Sequence, residues 1–143
     1  MKKSKSAKMI KRHTESEGSS VFELYKGTRA EDFKHSFLEN LKYRLIKESE
    51  TATDYDRYLS LAYAIRDRQV ENWVATQKTY RSQKVKRVYY LSLEFLIGRT
   101  LGNSVINLKV EDMVSKALQE LGLNLEELRE AEIDAGLGNG GLG

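Results

Sequence analysis

Arg87-Val88-Tyr89-Tyr90-Leu91-Ser92-Leu93-Glu94-Phe95-Leu96 is dense in β-formers, and Tyr89, Leu91, Leu93 and Phe95 alternate onto one face. This period of two predicts a strand. A strand apolar on one side and nearly so on the other belongs inside a sheet covered by helices. Ser92 and Glu94 interrupt the pattern near the carboxyl end of the stretch, the end at which open α/β sheets bind ligands. Glu94 is therefore either solvated at the mouth of the sheet or part of a site wall. Ile97-Gly98-Arg99-Thr100 reads as the turn out of the strand, with Thr100 a cap for a short helix through Leu108.

Upstream, Thr28-Arg29-Ala30-Glu31 has the T-x-x-E form of a capping box. Phe33, Phe37, Leu41 and Leu45 then recur every four residues, with Leu38 beside them, as one apolar helical face. His35 lies off that stripe and reads as a surface histidine rather than a ligand. Thr53 is the next cap, with Asp54 and Asp56 in the first turn, where they favour the helix dipole. A long helix follows to about Tyr80, carried by Tyr58, Ala62, Ile65 and Trp73, with Leu59, Val70 and Val74 offset. Trp73 reads as a packed core anchor in preference to a ligand stack, because aromatic residues at helical spacing mostly bury area. Downstream, Glu111 to Leu121 carries Val114, Ala117, Leu118 and Leu121 on one face, with Gly122 as its C′ residue. Asn124-Leu125-Glu126-Glu127 then caps a helix to about Ile133. Strand, helices and a closing glycine run together predict an α/β fold.

That run is Asp134-Ala135-Gly136-Leu137-Gly138-Asn139-Gly140-Gly141-Leu142-Gly143. So many glycines are too costly entropically for a helix or strand interior. They offer backbone that approaches a ligand closely and turns its amides inward as an anion nest, or else a hinge or turn. Gly138 to Gly143 satisfies G-x-G-x-x-G, but that fingerprint has meaning only directly after a strand. The preceding Glu126 to Asp134 is acidic and helical instead, which argues against a dinucleotide site. The P-loop pattern fails, since no G-K-[ST] follows, and no serine–histidine–acid set or paired catalytic carboxylates emerge from the spacing.

The 143 residues suit one domain or part of one, at 40% hydrophobic and 31% charged residues with a mean hydropathy of -0.57. No apolar run is long enough to span a bilayer, and no apolar h-region follows the basic start, so neither a membrane span nor a secretory signal is expected. There is no cysteine, which excludes disulfides, thiolate metal sites and a cysteine nucleophile. His13 and His35 are too few for a three-histidine metal site, and a cytoplasmic location is expected. Lys2, Lys3, Lys5, Lys8, Lys11 and Arg12 precede the first acid, Glu15. Without them the basic residues no longer outnumber the 21 acidic ones, so the body of the chain is mildly acidic and no nucleic-acid partner is expected. Residues 1–20 read as a basic, disordered tail.

Lys86 through Leu101 and Asp134 through Gly143, at their mutual spacing, resemble the N-terminal domain of the α-glucan phosphorylases, the glycogen, starch and maltodextrin phosphorylases. Arg66-Asp67, Trp73 and Thr76-Gln77 in the long helix fit as well, and the resemblance covers most of the chain from about Val21. It implies transfer of a glucosyl unit from an α-1,4-glucan to inorganic phosphate, giving glucose 1-phosphate with retention. It also implies pyridoxal phosphate as cofactor, a homodimer, and two Rossmann-like lobes of GT-B type around a deep cleft. By this resemblance Gly140 and Gly141 are phosphate-site amides, Leu142 a sugar contact, Asn139 a neighbour of the cofactor and Glu94 a buried acid on the site wall. Residues 21–143 then form the N-terminal part of that domain, as a helical lead-in of about 28–81 and an α/β segment of about 86–143. The lysine that bears the cofactor in the family lies beyond this sequence. The resemblance thus implies a truncated lobe with no catalytic residue or metal of its own, inactive alone and not holding pyridoxal phosphate by itself. Arg81 stands where the animal branch has a tyrosine that stacks on its nucleotide effector, which argues against AMP activation. The competing reading is a non-catalytic helical binding or regulatory module with a glycine hinge.

Overall fold

The computed structural model describes residue 27 and residues 29–92 and 98–134. Five α-helices order the described residues: α1 (Ala30–Glu39), α2 (Asp54–Gln83), α3 (Leu101–Leu108), α4 (Glu111–Glu120) and α5 (Leu125–Glu130). A π-helical turn, Asn40–Arg44, continues α1. One apolar core joins them, built from Phe33, Phe37 and Leu41, from Leu61, Ala64 and Ile65 of α2, and from Leu101, Val105, Val114, Ala117, Leu118, Leu125 and Leu128. Phe33 and Phe37 are fully or almost fully buried, as the four-residue stripe predicts. Ser60 ties α2 to α1 by donating its hydroxyl to the Phe37 carbonyl at 2.5 Å.

Local chemistry sets several of the helix ends. Thr53 and Asp56 form a reciprocal capping box: the Asp56 amide donates to Thr53 Oγ1 at 3.2 Å and the Thr53 amide to Asp56 Oδ2 at 2.9 Å. Asn124 Oδ1 accepts from the Glu126 and Glu127 amides at 2.8 and 3.4 Å. Gly122 adopts φ +71°, and the Gly122 amide reaches Gln119 O while the Leu123 amide reaches Leu118 O. This is a Schellman closure, in which glycine supplies the left-handed residue without side-chain strain. Ile46 takes a comparable φ of 57° after the π-helical turn, a position at which a β-branched side chain is strained.

Four expectations need correction. First, the described residues are all-helical and contain no strand, so the α/β fold class does not hold for them. Residues 85–92 run outside any helix or strand, with Val88 and Leu91 95% and 93% exposed. Their β-propensity expresses packing against neighbouring strands, and no such neighbour exists among the described residues. The remainder of the quoted stretch, 93–97, lies outside the described residues. Second, Trp73 is 67% exposed rather than a core anchor. The buried residues of α2 run only from Ser60 to Arg68, where the other helices cover it, and Val70 and Val74 are exposed as well. Third, the first helix starts at Ala30 behind Arg29, which makes no side-chain cap bond. Arg29 instead clamps Asp32 through two bonds of 2.9 Å. Fourth, α5 ends at Glu130, short of Ile133.

Candidate functional site

Glu94, Asn139, Gly140, Gly141 and Leu142 all lie outside the described residues. What the structure does place is the approach to both motifs, residues 98–101 and 130–134, and these meet. Thr100 stands at the N-cap of α3, yet its side chain makes no cap bond. The cap comes from far along the chain. The Glu132 carboxylate accepts from the Thr100 amide at 2.8 Å and from the Leu101 amide at 3.1 and 3.2 Å. An α-helix leaves its first amides without intrahelical acceptors, and a carboxylate there also meets the positive end of the helix dipole. The Glu132 charge extends to α2 as well, where burial pushes the Tyr58 phenol up from its ordinary value and the charge of Glu132 adds to the shift.

Arg99 strengthens the same junction, pairing Nε with Asp134 Oδ1 at 2.7 Å and Nη1 with Glu130 Oε2 at 3.3 Å. All three side chains are substantially exposed, so these pairs orient more than they stabilise. Next to them the Arg129 guanidinium, held by Glu126 at 2.8 and 2.9 Å, lies across Gly102. A Cβ on Gly102 would stand 2.7 Å from Arg129 Nη2, so the glycine is what lets the guanidinium pass so close. A small polar cavity of about 130 Å³ opens between these groups. Sequence reasoning placed Arg99 in the turn but missed Glu132, which is one acid among several between Glu126 and Asp134.

A second, shallower depression of about 490 Å³ lies beside the π-helical turn, lined by Glu39, Asn40, Tyr43, Arg44 and Asp67. Arg44 stacks on Tyr63 at 4.5 Å and approaches Asp67 at 4.0 Å. Of the motif residues in α2, Asp67 faces this depression, while Arg66, Trp73, Thr76 and Arg81 are exposed. His35 is exposed and stands 3.5 Å from Glu39, as a surface histidine should. Among the described residues no group of histidine, cysteine, aspartate and glutamate could hold a metal ion, and no helix is long and apolar enough to cross a membrane.

No family model matches the chain. Among individual proteins, the muscle form of glycogen phosphorylase from Ovis aries is 50% identical over 112 residues, which is 78% of this chain. The liver form of glycogen phosphorylase from Homo sapiens is likewise 50% identical over 112 residues, and the brain form from Bos taurus 49%. This chain is homologous to the glycogen phosphorylases. It spans 13% of the length of these phosphorylase relatives.

Pyridoxal phosphate is the cofactor that the phosphorylase resemblance implies, and the described lysines do not fit its covalent attachment. A Schiff-base lysine is normally desolvated so that its amine is neutral. Among the described residues no lysine is buried, and Lys34, one of the least exposed, is engaged with Glu31 and Glu120 at 3.8 and 3.4 Å. The described lysines therefore offer no desolvated amine for that attachment.

Proposed function

We propose that this chain supplies the phosphate-binding glycine run of an α-1,4-glucan phosphorylase, an enzyme that moves glucosyl units from glycogen or maltodextrin to inorganic phosphate. The observation that carries the reading is 50% identity over 112 residues to glycogen phosphorylases. In it, Gly140 and Gly141 offer backbone amides to phosphate, Leu142 touches the sugar, Asn139 neighbours the cofactor and Glu94 lines the wall. The physical logic is that phosphate beside a cofactor phosphate needs donors already oriented before the reaction begins. Residues 21–143 are the part that serves this role, and residues 1–20 are a basic tail. Glucan and phosphate are the partners in the whole enzyme, with pyridoxal phosphate held by a lysine outside this sequence. A homodimer and a cytoplasmic location complete the reading.

The test is a chimaera in which the matched residues of this chain replace their counterparts in the sheep muscle form. Phosphate-dependent release of glucose 1-phosphate from glycogen is the expected result. A chimaera that folds and retains pyridoxal phosphate but releases no glucose 1-phosphate would overturn the reading and favour a helical module with a glycine hinge.

A further inference from the structure

The depression beside the π-helical turn holds two acceptors that the chain leaves poorly served. The Asp67 side chain is only 19% exposed. Its two approaches are long, Asn40 Nδ2 at 3.5 Å and Arg44 Nη1 at 4.0 Å, where bonds from a cation to a carboxylate run about 2.7–2.9 Å. Asn40 is more than nine-tenths buried and donates Nδ2 to the Ser36 carbonyl at 3.0 Å. That bond fixes which amide atom is the nitrogen, and Oδ1 meets no donor among the described residues. Acceptors so far from water are costly to leave open. The backbone here is unusual as well. The Leu45 amide reaches back five residues to the Asn40 carbonyl at 3.1 Å, and Ile46 then takes φ 57°. Such π-turns are rare and frequent at functional sites.

The lining fixes the chemistry of an occupant by exclusion. Glu39 and Asp67 repel an anion. Arg44 repels a cation, and so does Lys42, whose ammonium stands 5.5 Å from the Tyr43 ring centre. Two carboxylates, an amide and a guanidinium disfavour an apolar ligand, which would strip their water without replacing it. A neutral ligand rich in hydroxyls remains: it donates to Asp67 and to Asn40 Oδ1 and accepts from Arg44. The largely exposed Tyr43 ring offers a flat apolar surface to the C–H face of a sugar. The volume of about 490 Å³ lies inside the span of about 300–1,000 Å³ usual for small-molecule sites. We propose that this depression is a carbohydrate subsite that takes a neutral hexose unit, free or within a glucan. It shares no residue with the phosphate reading of Gly140 and Gly141, so either can fail without the other.

The test titrates the full 143-residue chain, ¹⁵N-labelled, with glucose, maltotriose, glycerol, methylguanidinium and inorganic phosphate. Maltotriose is expected to move the backbone amides of Asn40 to Arg44 and the Asn40 side-chain amide, with a Kd on the order of 1 mM. An equal response to glucose assigns the site to a free hexose, and a response to maltotriose alone assigns it to a glucan; both support the proposal. Asp67→Asn replaces the charged acceptor and should weaken maltotriose binding about 10-fold or more. Tyr43→Ala removes an exposed ring and should weaken it as well, with the fold intact. The proposal is overturned if no sugar moves these signals, or if glycerol moves them as strongly as maltotriose at equal molarity. It is also overturned if methylguanidinium or phosphate moves them where the sugars do not, or if both variants bind maltotriose as the parent does. Should Asp67→Asn lose its helical circular dichroism, Tyr43→Ala decides: unchanged affinity overturns the proposal, and weakened affinity supports it.

Discussion

Replacing Arg68 by methionine asks what a guanidinium does in this core. Arg68 is only 9% exposed, stacks over Phe33 at 4.6 Å and donates to the Ala64 carbonyl at 2.9 Å. Burial pulls its pKa below the ordinary arginine value, and the negative charges of Glu71, Asp67 and Asp32 work against that shift. A desolvated cation–π contact contributes about 2 kcal/mol, and a hydrogen bond from a charged donor about 1.5–3 kcal/mol. Against these stands the effective cost of burying an ion, which is several kcal/mol. The terms nearly cancel, so Arg68→Met, which keeps an unbranched stem against Phe33, should fall within about 1 kcal/mol of the parent. Arg68→Ala also removes the buried methylenes, at about 0.8 kcal/mol each, and should lose about 2–3 kcal/mol. Urea unfolding followed by circular dichroism at helical wavelengths separates the two, as does melting, where 1 kcal/mol moves the midpoint by about 2–4 °C in a chain of this size. If Arg68→Met proves as unstable as Arg68→Ala, the charge itself holds the core and this reasoning fails.

Thr53→Ala should cost about 1 kcal/mol of stability through the capping box. It should also flatten the acid limb of stability against pH. Asp56 is held below the usual carboxylate range first by the Thr53 amide and then by the Thr53 hydroxyl. Its contribution is thus present above the unfolded value of about 3.9 and fades as pH falls through the lowered folded value. An unchanged acid limb in the variant would contradict this. Gly122→Ala and Ile46→Gly should act with opposite signs in thermal melts: the first places a methyl at φ +71° with nothing else in its way, costing about 1 kcal/mol, and the second relieves φ 57° at a side chain 86% exposed. Pyridoxal phosphate trapped by borohydride should scatter over many lysines of this chain, and mass spectrometry showing one stoichiometric site would refute that. In the active chimaera, Gly141→Ala should lower turnover on the order of 100–1,000-fold, the loss expected for one preorganised donor, with little change in melting. Normal turnover and normal phosphate saturation would make the glycine run a mere turn.

The features readable from sequence are those whose partners lie within a turn of each other. Thr53 with Asp56, Asn124 with Glu126, and Gly122 after α4 are local, and so is the four-residue stripe from Phe33 to Leu41. What sequence reading missed depends on distant groups. Trp73 has the spacing of a core residue, but burial depends on which other helices reach that part of α2, and its covered part ends at Arg68. Val88 to Leu91 have the chemistry of a strand, but a strand exists only with a neighbour to pair with. Thr100 occupies the cap position as expected, while the oxygen that does the capping belongs to Glu132. Glu94 and the glycine run, the residues on which the phosphate reading depends, belong to stretches outside the described residues, so their legibility rests on the resemblance of their motifs.

The capping of α3 by a carboxylate 32 positions away has a consequence in time. A nascent chain presents Thr53 and Asp56 almost together, so α2 can close its first turn as soon as it emerges. The amino end of α3 emerges with nothing of its own to close it and waits for Glu132. At about 5–20 residues per second that interval lasts on the order of seconds, during which water serves the Thr100 and Leu101 amides. A proteolytic cut after Glu130 would restore that early condition in the mature chain: all five helices would keep their residues, and the third would lose the acceptor that finishes its first turn.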